Sequence, residues 1–274
     1  MLPVITLPHP ALRPYIRQYV FIRSGAPGVW SDATIAPPGY PCISVIMHGR
    51  KLRMKVDGRA ETEHHDAVNF VGQTLSYHEF SLFDQLDTLF VIMQPCGPYQ
   101  LLGIDPREAV DVTVDYEQIT GSGTRSWLNE LADQPTPERL TACAEQYFLE
   151  QLKKRKIKAA SEHLASVSHY IRSHGHEQLL IKKVCRETGF SKSRLERQMK
   201  EMTGITPKQL HRIARFNAVL EHMQRERQSM PWAQLAILFG YFDQAHFIRE
   251  FKSFYGKTPT RLGPEDQYIS EVAL

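Results

Sequence analysis

The stretch FGYFDQAHFIREFKSFYGKTP, residues 239–259, decides how the second half of the chain folds. Gly240 suits the left-handed position just after a helix, and Asp243 suits the position that caps the next one. Phe247 and Phe251 are four residues apart, so they share one face of that next helix. The stretch therefore predicts a leading helix over Pro231–Leu238, a tight turn, and a second helix that begins after Asp243.

The same pattern occurs a second time at residues 188–207, which read TGFSKSRLERQMKEMTGITP. Allowing for one extra residue, Phe242, in the later copy, the two stretches align throughout. The matched pairs include Gly189 with Gly240, Ser191 with Asp243, Leu195 with Phe247, Arg197 with Arg249, and Met199 with Phe251. A helix around Ile181–Glu187 precedes this copy. The repeat predicts two similar helix-turn-helix units.

In a helix-turn-helix protein the second helix enters the DNA major groove by its N-terminal residues. The side chains opposite the apolar face are the predicted DNA-binding residues: Lys192, Ser193, Glu196 and Arg197 in the first unit, and Gln244, Ala245, His246 and Arg249 in the second. Arginine can bind guanine through two hydrogen bonds, glutamine can bind adenine, and glutamate can accept from cytosine. A solvated helix surface is the alternative, in which Glu196 pairs with Lys200 four residues later.

The charge of the chain is unevenly distributed. The 274 residues have a net charge of only +3. Residues 1–150 contain 11 basic and 18 acidic residues, a net charge of −7, whereas residues 151–274 contain 22 and 12, a net charge of +10. A basic half favours a nucleic-acid partner. The dense basic run at 153–158 is either a solvated linker or a phosphate-binding segment.

The first half has the pattern of a β-rich domain. Short runs rich in Val, Ile and Phe, separated by Gly, Pro and Asp clusters, predict an antiparallel sandwich or barrel. These runs are 17–23, 42–48, 51–56, 67–72 and 86–93. Short helices are predicted at GPYQLLG, at PREAV and at 124–131, and a longer helix from Pro137 to about Lys154. We expect an α+β chain with a β-rich domain at 1–150, a basic linker at 151–160, an all-α domain at 161–262 and a tail at 263–274.

Residues 159–262 resemble the DNA-binding domain of AraC/XylS-family transcription regulators. The stretch 239–259 is similar to that family's signature, GF-x-[DS]-x-x-x-F-x-x-x-F-[KR]-x-x-x-G-x-[ST]-P. The resemblance implies two helix-turn-helix subdomains joined by a long helix at about Pro207–Arg225, with recognition helices entering successive major-groove segments about 34 Å apart. The DNA contacts that it implies are the eight residues above, apart from Lys192. The chain departs from the family at Gln198, Met199 and the ending PTRLG, where Arg261 is the candidate for a phosphate contact.

Three stretches of the first half, APPGYPCISVIMHG, FVGQTLSYHEFSL and FVIMQPCGPYQLLGI, look like parts of the N-terminal domain of some AraC-type regulators. The sugar-binding members of that family use a cupin-like β-barrel. Such domains are thought to sense a signal or to mediate self-association. Besides double-stranded DNA, the resemblance implies three partners: RNA polymerase, a small-molecule effector and a second copy of the chain. A purely oligomerising first half is the alternative to a sensing one.

Enzyme chemistry is the competing hypothesis for the first half. His48, His64, His65 and His78 are the candidate metal ligands, but adjacent residues of a strand face opposite sides, so no metal site is predicted. Cys42, Cys96 and Cys143 have no neighbour that would lower a thiol pKa, and Cys96 is the one candidate redox sensor. Aromatic residues that would line a ligand pocket in a barrel are Tyr40, Phe70, Tyr77, Phe80 and Phe90.

No phosphate-binding loop or nucleophile motif occurs in the sequence, so no cofactor is expected and the chain is predicted not to be an enzyme. The four cysteines are scattered, which is typical of reduced thiols. No apolar run approaches the length of a membrane span, and the first 20 residues do not have the pattern of a signal peptide. We therefore expect a cytoplasmic regulator that binds DNA.

Overall fold

The computed structural model describes residues 3–24, 30–47, 51–56, 61–64, 67–83, 86–121, 123–155, 159–175, 181–225 and 230–262. The strands in these residues are β1 (Val4–Thr6), β2 (Ile16–Ser24), β3 (Trp30–Ile35), β4 (Cys42–Met47), β5 (Lys51–Val56), β6 (Glu61–His64), β7 (Ala67–Val71), β8 (His78–Phe83), β9 (Leu86–Met93) and β10 (Thr113–Asp115). The predicted runs at 51–56 and 86–93 are strands with those bounds.

The helices in the described residues are α1 (Tyr116–Thr120), α2 (Gly123–Ala132), α3 (Pro137–Lys154), α4 (Ala159–Ser173), α5 (Ile181–Thr188), α6 (Lys192–Thr203), α7 (Pro207–Arg225), α8 (Trp232–Leu238) and α9 (Gln244–Tyr255). Shorter turns are the 3₁₀ helices Pro10–Leu12, Pro106–Ala109 and Pro259–Arg261 and the π-helix Pro98–Leu102. Among these helices, none is both long and apolar enough to cross a membrane.

The strands of the first half form two antiparallel sheets, ordered β1-β2-β9-β4-β7-β10 and β3-β8-β5-β6. The edge strands β1 and β10 of the larger sheet are three residues long. β1 contacts α3, and β10 contacts α1. A short edge strand that is covered by a helix leaves few backbone groups free to pair with a further strand. The predicted α+β class is confirmed. Among the described strands, no hydrogen bonding joins the edge strands β1 and β10 of the larger sheet, so this sheet is not closed and the barrel alternative is wrong.

The second half contains the two predicted helix-turn-helix units, α5–α6 and α8–α9. Gly189 and Gly240 end the leading helices with φ of 68° and 69°. Ser191 Oγ and Asp243 Oδ1 cap the second helices, each accepting a hydrogen bond from the backbone N–H three residues later, at 3.2 Å and 2.6 Å. The turn geometry that the repeat predicts is therefore confirmed.

The apolar faces of the second helices form the core of this half. Leu195, Met199, Phe247 and Phe251 are all fully buried. Met199 thus fills the core position at which the resembling family has phenylalanine. The long helix α7 packs Phe216 against Phe251, with ring centroids 5.3 Å apart, and so joins the second unit to the rest.

The predicted domain boundary falls between the end of α3 and the start of α4. The predicted linker at 151–160 overlaps the last residues of α3 and the first of α4. Residues 156–158 and the predicted tail, 263–274, lie outside the described residues. The linker and tail therefore stay predictions.

The two halves pack closely where α6 ends. Gly204 closes α6 with φ of +81°, and a Cβ atom placed on it would lie 2.6 Å from the carbonyl oxygen of Pro106 and 2.8 Å from a methyl carbon of Val110. Atoms at such distances overlap, so no larger residue fits without separating the halves. Gly189 has a similar φ of +68°, but no described atom lies within 4 Å of its Cβ position.

These two glycines provide a matched test of the packing. We expect Gly189→Ala to lower the free energy of unfolding by about 1–2 kcal/mol, the cost of a left-handed alanine. Gly204→Ala should cost at least about 1 kcal/mol more, because overpacking adds to the same backbone cost. Urea denaturation of both variants measures the difference. Equal losses would contradict the close contact between α6 and the 3₁₀ helix Pro106–Ala109.

Candidate nucleic-acid interface

The outward face of α6 presents the four residues predicted for the first unit. Lys192, Ser193 and Arg197 are exposed, and Glu196 is half-buried. The Nζ atom of Lys192 lies 3.9 Å from Oε1 of Glu196, so the ion pair of Glu196 is with Lys192 and not with Lys200. Exposed pairs of this kind contribute little stability, so DNA can compete for either side chain.

The outward face of α9 presents the residues predicted for the second unit. Gln244, Ala245 and Arg249 are exposed and His246 is half-buried. Arg197 and Arg249 occupy matched positions on the two helices, and neither makes an ion pair with a described residue. Both guanidinium groups are therefore available to a ligand outside the protein.

His246 is engaged within the protein as well as lying on the outward face. Its Nδ1 accepts a hydrogen bond from the backbone N–H of Phe242 at 3.4 Å, and its Nε2 lies 3.9 Å from Oε2 of Glu250. Its ring meets that of Tyr241 edge to face, with centroids 5.5 Å apart. His246 therefore stabilises the turn that precedes α9.

Glu250 holds α9 against α7. Its buried carboxylate accepts a hydrogen bond from Nε of Arg212 at 2.7 Å and one from Nη2 of Arg215 at 2.6 Å. Burial alone raises the pKa of Glu250, but the two guanidinium groups outweigh it and hold the pKa below its ordinary value. The carboxylate is therefore ionised at neutral pH and fixes the orientation of the second recognition helix.

Arg215 extends this arrangement to the turn. Its guanidinium carbon lies 4.0 Å from the ring centroid of Tyr241, and its Nη1 donates to the carbonyl oxygen of Gly240 at 3.3 Å. The turn, α7 and α9 thus share one buried ion pair. Sequence analysis did not identify Glu250, although a lone acidic residue three positions after the inward-facing Phe247 is a signal for it.

The first recognition helix lacks this arrangement. Gln198 occupies the position that matches Glu250, and its Oε1 is buried with no hydrogen-bond partner among the described residues. The C-terminal end of α6 instead contacts the first half of the chain. Tyr99 Oη donates a hydrogen bond to Oε1 of Glu201 at 3.3 Å, close to the contact at Gly204. The two recognition helices are therefore held by different means.

Further basic residues lie on the same half of the chain. Arg194, Lys200 and Lys252 are exposed on the recognition helices, and Arg261 is exposed in the last 3₁₀ helix. In the predicted linker, Lys153, Lys154 and Arg155 are exposed, whereas Lys156 and Lys158 lie outside the described residues. Phosphate contacts from these residues remain predictions.

The cysteines of the first half do not have the properties of nucleophiles. Burial raises the pKa of both the Cys42 and the Cys96 thiol to about 12, and that of the Cys143 thiol to about 11, with smaller contributions from Glu130. A thiol with such a pKa stays protonated at neutral pH and reacts poorly. The redox-sensor hypothesis for Cys96 therefore has no electrostatic support.

Of the four histidines considered as metal ligands, only His78 has a described side chain. His48 and His65 lie outside the described residues, as does the side chain of His64. His78 is buried, and burial lowers its pKa. Within the part of the chain that is described, no three metal-binding side chains come together.

Comparison with known proteins identifies the helical half. Residues 184–263 match the helix-turn-helix domain family. Among curated proteins, none matches the sequence significantly.

Three solved structures are among those that match the chain. ToxT from Vibrio cholerae is 12% identical, with 93% of this chain and 98% of that chain covered and a TM-score of 0.49. The xylose-binding transcription activator XylR is 20% identical, with 44% and 37% covered and a TM-score of 0.31. The AraC-like transcriptional activator CuxR is 15% identical, with 81% and 88% covered and a TM-score of 0.29.

Proposed function

We propose that the chain binds specific DNA sequences and regulates transcription as a regulator of the AraC type, because residues 184–263 match the helix-turn-helix domain family. The observation that carries this proposal is the repeated geometry of the two units. In both, a capped second helix leaves its N-terminal turn exposed, with hydrogen-bonding side chains on the outward face. Lysine and arginine contacts to phosphates would supply affinity and register, while the two helices read bases.

The base-reading residues that we propose are those on the outward faces of α6 and α9. Arg197 and Arg249 suit guanine, Gln244 suits adenine, and Ala245 can contact a thymine methyl group. Glu196 suits cytosine once DNA displaces Lys192. His246 is the exception, since its bonds to the turn favour a supporting role over a direct base contact.

Arg249→Ala is the variant that tests base reading. We expect it to weaken binding to the preferred site by about 1–3 kcal/mol, because a two-bond contact to guanine is lost. Binding to random duplex should change much less. Fluorescence anisotropy with a labelled specific duplex and a labelled random duplex, at one salt concentration, measures both affinities.

Lys252→Ala is the matched control, since Lys252 is exposed on the same helix, three residues after Arg249. A lysine that contacts phosphate affects all sequences alike. We expect this variant either to lower the affinities for the specific and the random duplex by the same factor or to leave both unchanged. Equal losses on specific and random DNA for Arg249→Ala would contradict its base-reading role.

For the first half we propose a regulatory role, in which a small-molecule effector or self-association changes how the DNA-binding half is presented. A ligand achieves this only if it binds one arrangement of the halves more tightly than another. The contacts of Gly204, Glu201 and α6 with the first half support such coupling. RNA polymerase and a second copy of the chain are the further partners proposed, in the cytoplasm where bacterial DNA lies.

Self-association separates the two forms of this role. Sedimentation measurements over a range of concentrations show whether the chain forms dimers. Dimers that respond to no metabolite would favour a purely oligomerising first half over a sensing one.

A further inference from the structure

The second helix-turn-helix unit contains one residue that the first unit does not have. Phe242 is the extra residue of the second copy, placed between Tyr241 and the capping residue Asp243. Its side chain is 90% exposed, the largest value among the exposed large apolar side chains of the described residues. The insertion therefore adds an aromatic ring that contributes almost nothing to the core.

The packing that an apolar residue at this place normally provides comes from Tyr241. A residue just before a helix cap often packs against the fourth residue of the helix, which here is Phe247. The ring of Tyr241 meets that of Phe247 edge to face, with centroids 5.2 Å apart, and both residues are buried. In the first unit the matching Phe190 directly precedes the cap Ser191. The turn therefore forms without a residue that corresponds to Phe242.

The backbone of Phe242 is attached to the second recognition helix. Its N–H donates a hydrogen bond to Nδ1 of His246 at 3.4 Å, in the first turn of α9. Gln244 and Ala245, which follow the cap, are both exposed on the outward face. The N-terminal residues of a recognition helix are the ones that enter the major groove. Phe242 therefore directly adjoins the residues proposed to read bases.

Two other exposed apolar side chains of this unit, Ile237 and Leu238, lie near the end of the leading helix α8. The matching positions in α5 hold Arg186 and Glu187, which are exposed and charged. In a helix-turn-helix protein the leading helix crosses the DNA backbone, where the phosphates favour basic side chains. We therefore expect neither Ile237 nor Leu238 to contact bases, and Leu238 provides a control for Phe242.

The major groove offers one group that suits an exposed aromatic ring. Thymine presents its C5 methyl group there, and phenylalanine is among the side chains that contact this methyl. Burial of apolar surface is favourable, and the ring of Phe242 has nearly all of its surface in water. A thymine methyl is therefore the partner in the groove that matches the chemistry of this side chain.

We propose that Phe242 contacts the C5 methyl group of a thymine beside the base pairs that Gln244 and Ala245 read. The contact determines part of the sequence preference of the second unit, and the first unit has no counterpart for it. The inference rests on the proposed function, because it requires a specific DNA site. It extends that function by one apolar base contact outside the recognition helix itself.

Deoxyuridine tests the contact, because it pairs like thymidine but lacks the C5 methyl group. The probe is the duplex that is enriched most strongly in selection from random DNA, with each thymidine replaced in turn by deoxyuridine. For the wild-type chain we expect at least one replacement to weaken binding about threefold or more, the effect of one methyl group left unburied. Fluorescence anisotropy measures each affinity. If no replacement weakened binding, the proposal would be overturned.

Phe242→Ala assigns the methyl effect to this side chain. In the variant, the thymidine and deoxyuridine forms of the affected duplex should bind equally, and no more tightly than the wild type binds the deoxyuridine form. Leu238→Ala, which changes an exposed apolar residue of the same unit, should keep the full methyl effect. If every methyl effect survived in Phe242→Ala, the thymine contacts would belong to other residues such as Ala245, and the proposal would be overturned. Loss of the effect in Leu238→Ala as well would also overturn the assignment.

The unfolding temperature gives an independent check. Because the ring of Phe242 is exposed, we expect Phe242→Ala to unfold at the same temperature as the wild type. A clear fall would mean that the ring packs within the protein, and the proposal would fail.

The preference of the wild type for the selected duplex over a random duplex is the reference measurement. If this preference is present and the methyl effect is absent, the inference about Phe242 fails alone. If the preference is missing, the DNA-binding function fails with it.

Discussion

Replacing Glu250 by glutamine is expected to lower the free energy of unfolding by about 3 kcal/mol, the lower end of the range for breaking a buried ion pair. The reason is that Arg215, whose side chain is 11% exposed, keeps its charge but loses its counter-charge. The lower end applies because the side chain of Arg212 is 39% exposed and can be solvated. Urea denaturation measures this loss.

The second recognition helix should respond to the same change. Glu250 does not lie on the outward face of α9, so its replacement removes no proposed contact to DNA. We nevertheless expect weaker binding to the specific site, because α9 loses its attachment to α7 and its orientation is less well fixed. Full specific affinity in a folded Glu250→Gln variant would contradict the positioning role.

Glu221→Gln is the matched control for this prediction. Glu221 pairs with Arg225 at 3.5 Å on the surface of α7, with both side chains well exposed. Exposed pairs one helical turn apart contribute about 0.3–0.5 kcal/mol. If Glu221→Gln lowered the free energy of unfolding as much as Glu250→Gln, burial would not be the reason for the larger contribution of the Glu250 pair.

The buried pair also makes a prediction about pH. The pKa of Glu250 in the folded chain lies below its ordinary value of 4.5. Its contribution to stability is therefore complete above that ordinary value and is lost as the pH falls through the folded-state pKa. In Glu250→Gln this part of the acid dependence should be missing, which denaturation curves at several acidic pH values will show.

Replacing Arg172 by alanine is expected to uncouple the two halves of the chain. Arg172 lies on α4, and its Nη1 donates to the carbonyl oxygens of Pro38 and Gly39 at 3.1 Å and 2.9 Å. Its guanidinium carbon lies 3.4 Å from the ring centroid of Tyr40. Asn217 of α7 donates to the same carbonyl of Pro38 at 3.1 Å. One loop of the first half is thus fastened to two helices of the second.

The expected loss is about 3 kcal/mol, since each hydrogen bond to a charged donor contributes about 1.5–3 kcal/mol and burial of the guanidinium offsets part of it. Burial lowers the pKa of Arg172, although the group stays protonated. With this contact removed, we expect urea denaturation to show two transitions in place of one, because the buried apolar residues form two clusters, one from the first half and the other from the second half apart from Cys96.

Arg194→Ala is the control for Arg172→Ala. The guanidinium of Arg194 lies 4.4 Å from the ring centroid of Phe190, within one helix-turn-helix unit and in an exposed position. A contact of that kind contributes about 0.5–1 kcal/mol. A single transition in Arg172→Ala, shifted no further than in Arg194→Ala, would contradict the role of this contact in joining the halves.

The helix-turn-helix units could be predicted from the sequence because their signals are local. The helix over Pro207–Arg225 begins where Thr206 and Gln209 form reciprocal hydrogen bonds, with Thr206 N–H donating to Gln209 Oε1 at 2.9 Å and Gln209 N–H to Thr206 Oγ1 at 3.3 Å. The helix over Pro137–Lys154 likewise has Thr136 as its cap. Start signals of this kind are visible in a few neighbouring residues.

The arrangement of the sheets could not be predicted in the same way. β3 reads WSDATI and β8 reads HEFSLF, and neither has the apolar pattern of the strands that were predicted. They pair with each other across more than 40 residues of sequence, and such pairing depends on partners that no local window contains. The barrel prediction was wrong for the same reason, since the edges at β1 and β10 depend on helices that cover them.

The candidate site likewise has a part that could be predicted from local sequence and a part that could not. The outward faces of α6 and α9 follow from helical periodicity, and the structure leaves their predicted residues exposed or half-buried. The groups that position these helices, Glu250 with its two arginines and Gly204 against Pro106, depend on residues distant in sequence. Contacts with bases remain predictions.

Selection of bound sequences from random duplex DNA by the full-length chain tests the central claim most directly. Two recognition helices that read successive major-groove segments should enrich two short blocks, with centres about 10–10.5 base pairs apart. Arg249→Ala should alter only one of the two blocks. Failure to enrich any sequence, both with the full-length chain and with residues 151–274 alone, would contradict the proposal that this chain is a sequence-specific regulator.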